Sequence, residues 1–171
     1  MSTRELMVSG ARGVPPPHAS FCVNGYGESR MDFAYPARLS NEADGRYTVT
    51  FRDLPDAITQ GEDREDAIEM AADCLAETIG GRMAERAEIP VPSRPRRGEV
   101  RVAVPLYVAV KAALYVAMKQ EGVSLSQLAR VLEGQHVQVR RLLDPERASS
   151  MKRIDHALSA IGRRVRVSLE T

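Results

Sequence analysis

The chain has 171 residues, 43% of them hydrophobic and 27% charged, which is enough to bury one medium core or two small ones and too ordinary for a disordered protein. Its net charge of +1 hides a split: residues 31–89 carry 14 Asp and Glu against 6 Lys and Arg, a balance of −8, and residues 90–171 carry 7 against 15, a balance of +8. Fields of opposite sign fit different partners, phosphate for the basic half and a cationic protein for the acidic half.

Residues 1–30 hold Pro15, Pro16, Pro17 and scattered glycines, without the continuous apolar stretch of a secretory signal, and are expected to form a disordered or extension arm. Cys22 and Cys74 have no spacing of a metal knuckle or disulfide framework, so a reducing cytoplasm is the expected compartment. Gly25-Tyr26-Gly27 lacks the strand-to-helix context of a nucleotide loop.

Residues 33–39 and 46–51 are aromatic and β-branched runs joined by a turn ending in Asp44-Gly45, which predicts a hairpin. A third short strand fits residues 57–60. Asp63 then reads as a helix N-cap, with Glu65 and Asp66 at the positive end of the helix dipole. Ala67, Ala71, Leu75, Ile79 and Met83 form one apolar stripe. Gly80-Gly81 weakens the end of this helix, the prolines 90, 92 and 95 enforce an extended passage, and residues 99–104 alternate as a fourth strand. The predicted order β-β-β-α-β makes residues 31–104 an α+β domain.

Residues 102–118 are apolar except for Lys111, but they are short for a membrane span and contain Pro105. A strand ending at Val104 and a helix opening on Pro105 fit better. Residues 105–171 then read as an all-α domain. Ser124 caps a short helix, Glu133-Gly134-Gln135 makes a turn, and a second helix covers residues 136–143. Ala129, Leu132, Val139 and Leu142 stand at the packing positions of a helix-turn-helix. A further helix runs from Ser150 towards Gly162, with Ile154, Ala157, Leu158 and Ile161 inward. If the unit binds DNA, Gln135, His136, Gln138, Arg140 and Arg141 face the major groove, while Ser126, Gln127, Lys152 and Arg153 suit backbone phosphates. Half-sites are read by two-fold symmetric proteins, so a homodimer or tetramer is expected. Leu106, Val110 and Leu114, with Val165 and Val167 of a final strand over residues 163–169, are the candidate subunit contacts.

Tyr35-Pro36-Ala37, the strand over residues 45–51, Phe51-Arg52-Asp53-Leu54-Pro55, Thr59-Gln60-Gly61 running into Glu65-Asp66-Ala67, and Ile89-Pro90-Val91-Pro92-Ser93 together resemble the HicB antitoxins of bacterial toxin-antitoxin pairs. The resemblance extends from about Met31 to the C-terminus, and departs from the family in the first 30 residues and at Arg52, where a proline is usual. It implies a partial ribonuclease-H-like domain that binds and occludes a small basic HicA-type ribonuclease toxin, and a C-terminal DNA-binding domain that represses its own operon. Asp53, Leu54, Glu62, Glu65, Glu69 and Asp73 are the candidate toxin contacts, with Glu77 on the same acidic face.

An enzyme is not expected. Asp32, Asp44, Asp53 and Asp56 stand at turns or strand edges rather than converging on a metal, and His18, His136 and His156 lack a partner at ligand spacing, the loose His18/Cys22 pair aside. No catalytic residue, cofactor or metal is assigned. The competing class is a stand-alone helix-turn-helix regulator whose α+β domain senses a small ligand.

Overall fold

The computed structural model describes residues 22–23, 29–30 and 32–167. The chain forms two compact units, residues 1–30 and 31–171. In the first, β1 (Cys22–Val23) and β2 (Ser29–Arg30) pair antiparallel, although no regular structure was expected there. His18 and Gly25-Tyr26-Gly27 lie outside the described residues.

The second unit is mixed α/β, an antiparallel sheet followed by helices. β3 (Ala34–Asn41), β4 (Tyr47–Phe51), β5 (Ile58–Gly61) and β6 (Glu99–Ala103) stand in the order β5-β4-β3-β6. The β3–β4 hairpin turns where expected, with Gly45 at φ +89 and Glu42 N–H donating to the Arg46 carbonyl at 2.8 Å. Pro36 sits in an interior strand, normally a poor place for proline. The bond from Val104 N–H to the Phe33 carbonyl sets the phase of β3, so residue 36 points its backbone nitrogen to the β4 side. The β3–β4 register starts only at Ala37, so Pro36 deprives no carbonyl of a ladder bond.

The helix α1 (Arg64–Ala84) lies on this sheet. Asp63 caps it, its Oδ1 accepting from Glu65 N–H at 2.8 Å and Asp66 N–H at 2.9 Å. Ala67, Ala71, Leu75, Ile79 and Met83 are all buried, with Ala76, against Tyr35, Ala37, Val49, Phe51 and Val102. Gly61 permits the strand-to-helix approach, because a Cβ there would lie 2.3 Å from Ala67 N.

The passage from Arg86 to Gly98 has no regular structure, so its backbone groups need other partners. Side chains from β3, from α1, from the helix after β6 and from the loop after β4 supply them. Tyr115 Oη donates to the Ala87 carbonyl at 2.6 Å, Lys119 Nζ to Arg86, Arg82 to Glu88, Tyr35 Oη to Pro90 at 2.8 Å and Arg52 to Arg94. The Asp53 carboxylate accepts from Ser93 N–H and Oγ–H, both at 2.8 Å.

Four helices follow: α2 (Leu106–Gln120), α3 (Leu125–Val131), α4 (His136–Leu143) and α5 (Met151–Ala160). α2 serves two apolar clusters. Val108, Ala112 and Tyr115 join the sheet cluster, while Val110, Leu114, Ala117 and Met118 join Leu128, Val139, Leu142, Ile154 and Leu158. Lys111, the charged interruption of the apolar run, is 3% exposed and donates to the Asp144 carbonyl at 2.6 Å and to the Arg147 carbonyl, tying α2 to the loop after α4. Its burial lowers the lysine pKa, opposed by the charges of Asp144 and Glu146. Gly80, expected to weaken α1, instead lets Pro145 of that loop approach, since a Cβ would stand 2.9 Å from its ring.

The expected strand over residues 163–169 is corrected. Residues 163–167 form no strand, and 168–169 lie outside the described residues. Alternation makes a strand only beside another strand, and here Arg163 pairs with Glu121 while Val165 packs on the helical cluster.

Candidate functional site

Two surfaces of the second unit carry the candidate residues. The first is helical. Ser124 and Gln127 form a capping box: Ser124 Oγ accepts from Gln127 N–H at 3.2 Å, and Gln127 Oε1 accepts from Ser124 N–H at 2.8 Å. α3 ends with Gly134 N–H on the Ala129 carbonyl and Glu133 N–H on Arg130, with Glu133 at φ +48. This Schellman turn redirects the chain into α4. Leu128 and Ala129 of α3, Val139 and Leu142 of α4, and Ile154, Ala157 and Leu158 of α5 turn inward.

What remains outside is polar and basic. Ser126, Gln127, Gln135, His136, Gln138, Arg140, Arg141, Lys152 and Arg153 are all exposed. Three are partly engaged: Gln127 through its Oε1 in the cap, and Gln138 with Arg153, whose Nη2 donates to the Gln138 Oε1 at 3.2 Å. Sequence reasoning passed over Val137, which is 57% exposed on α4. The signal was present, since positions 137, 140 and 141 share a helix face opposite buried Val139 and Leu142.

The second surface is acidic. Glu65, Glu69, Asp73 and Glu77 recur every four residues along α1, so they form one exposed row, extended by exposed Glu62 before the helix. None of them enters an ion pair among the described residues. The other two candidates on this side are corrected. Leu54 is fully buried in the sheet cluster, because the loop after β4 turns it under the sheet, and Asp53 is spent on Ser93. The remaining aspartates are dispersed: Asp32 pairs with Arg101, Asp44 with Arg46, Asp56 with Arg82. No cluster of three or more His, Cys, Asp or Glu able to hold a metal occurs among the described residues. Cys74 is half-buried, its Sγ directed at the Ile58 carbonyl, and burial pushes its thiol pKa up.

The expected subunit contacts divide. Val110 and Leu114 are 4% and 0% exposed inside their own chain's helical cluster, which withdraws them from a partner. Leu106 and Val167 are exposed, with Tyr107 beside the former, and Val165 is half-buried.

Among the described residues the acidic row of α1 and the arginines of α4 are not paired with one another. The ion pairs Arg52–Glu99 and Arg101–Asp32 join the acidic and basic stretches, and both lie at the sheet rather than on α1 or α4. The rest form within one stretch. No helix among the described residues is long and apolar enough to cross a membrane.

Residues 34–113 match the family described as HicB_like antitoxin of bacterial toxin-antitoxin system. Antitoxin HicB 2 of Photorhabdus laumondii is 34% identical over 129 residues, covering 75% of this chain and 91% of the relative. Antitoxin HicB of Escherichia coli K12 is 32% identical over 129 residues, covering 75% and 94%. Antitoxin HicB of Pseudomonas fluorescens is 28% identical over 139 residues, covering 81% and 94%.

Proposed function

The chain belongs to the HicB-like antitoxin family of bacterial toxin-antitoxin systems, and from that premise we propose that it is an antitoxin with two separate partners. The acidic row of α1, with Glu62, docks on a small basic HicA-type mRNA-cleaving toxin and blocks access of RNA, with the sheet and α1 serving as a partial ribonuclease-H-like scaffold. Helices α3 to α5 act as a helix-turn-helix: α4 enters the major groove, Ser126 and Gln127 at the α3 N-terminus with Lys152 and Arg153 contact phosphates, and the bound operon is repressed. A homodimer, joined through exposed Leu106 and Val167, matches two half-sites about one helical turn apart.

The observation that carries this reading is that the acidic row and the basic helix face are both exposed, at opposite signs and in no ion pair with each other among the described residues. Arg140→Ala is expected to lower affinity for DNA from upstream of the chain's own operon by about 1 to 3 kcal/mol, while a co-expressed toxin still copurifies. Glu65→Lys with Glu69→Lys gives the reverse pattern. A single substitution on one surface that abolishes both activities overturns the division of labour.

A further inference from the structure

We propose that Val137 reads a thymine 5-methyl group in the major groove and is a specificity-determining residue of this chain. The inference rests on the reading that α4 enters DNA and adds what that helix selects. Val137 is 57% exposed at the centre of the outer face of α4, with Arg140 and Arg141 one turn away and buried Val139 and Leu142 behind. Among the described residues neither guanidinium has a partner and no side chain buries the valine.

An isopropyl group between two cations needs a surface that is anionic at its walls and apolar at a point on its floor. The major groove has that pattern, phosphates along both edges and the thymine methyl projecting from the base edge. The neighbouring glutamine is less suited to the task. Gln138 Oε1 already accepts from Arg153 Nη2 at 3.2 Å, so although the amide oxygen keeps a second lone pair, turning it to adenine competes with that bond. On the outer face of α4 the apolar contact therefore falls to Val137, with Arg140 and Arg141 beside it for guanine or phosphate.

The test uses the full chain and a duplex from upstream of its operon, with each thymine replaced in turn by deoxyuridine, which keeps the base pair and removes the methyl. The wild-type chain is expected to lose about fourfold in affinity at one thymine per half-site, the worth of one buried methyl. Val137→Ser, an exposed change that leaves the fold intact by circular dichroism, is expected to bind more weakly and to be indifferent to that replacement. Uracil replacement without effect anywhere, or with the same effect in Val137→Ser, overturns the inference while leaving DNA binding standing. Failure of the wild-type chain to prefer this duplex over a scrambled one overturns the DNA reading itself. If Val137→Ser instead disrupts copurification of the toxin, the valine faces protein and the inference falls.

Discussion

Gly61 and Tyr35 show how single residues set the stability of the sheet end that supports α1. At Gly61 the demand is closeness: a Cβ would stand 2.3 Å from the Ala67 nitrogen and 2.4 Å from its Cα, both backbone atoms without freedom to yield. Gly61→Ala is expected to cost about 1 to 3 kcal/mol, read as a lower urea midpoint at unchanged slope. Tyr35 is fully buried, and burial, with the charge of Asp53 second and Arg82 opposing, holds its hydroxyl ionisation well above the ordinary value of 10.0. Below about pH 10 both states keep the proton and the contribution is complete. Above it the unfolded chain releases a proton that the folded chain retains, so stability falls as pH rises. Tyr35→Phe loses the bond to Pro90 but is expected to show a smaller decline of urea midpoint between about pH 9 and pH 11. An equal decline in both proteins sinks the assignment.

At the scale of elements, the helix ends are more informative than the helix middles. Two helix ends close on non-glycine residues and two on glycine: Arg86 after α1 at φ +59 and Glu133 after α3 at φ +48, against Gly122 after α2 at φ +64 and Gly162 after α5 at φ +76. A side chain in the left-handed region carries a steric cost that glycine avoids. Glu133→Gly is expected to raise stability by about 0.5 to 1 kcal/mol, seen as a rise in Tm of about 1 to 4 °C, without shifting DNA affinity. The caps Asp63, Ser124 and Gly162 were legible in the sequence, since each stands at the position where its chemistry satisfies a helix end, whereas the part of Gln127 in the Ser124 cap came only from the structure. The tail was not. Arg163, Val165 and Val167 alternate like a strand, yet alternation carries no information about whether a neighbouring strand exists to pair with.

For the whole second unit, α2 decides how the parts cohere. The charge pattern divides at residues 89 and 90 and the expected domains at 104 and 105, but the helix that begins after the second boundary sends Val108, Ala112 and Tyr115 into one cluster and Val110, Leu114 and Met118 into the other. Lys111 and the contact of Gly80 with Pro145 fasten the same junction. Residues 31–171 are therefore expected to unfold in one transition. Leu114→Ala, costing about 2 to 5 kcal/mol, is expected to shift the sheet tyrosine signal and the far-ultraviolet helix signal to the same lower midpoint. Two separated midpoints would show that the sheet and the helices stand independently.

Sequence alone determined the strands β3 to β6 and the helices α1 to α5, the inward stripes and the two opposed charge fields, because turn chemistry, caps and periodicity act between residues close along the chain. Tertiary structure decided which polar groups were already taken and which apolar ones were left out. Asp53 answers to Ser93, Lys111 to the loop after α4 and Leu54 to the sheet cluster, through contacts spanning tens of residues, while Val137 stays uncovered. Such pairings follow from how separate elements pack, and no local pattern encodes them.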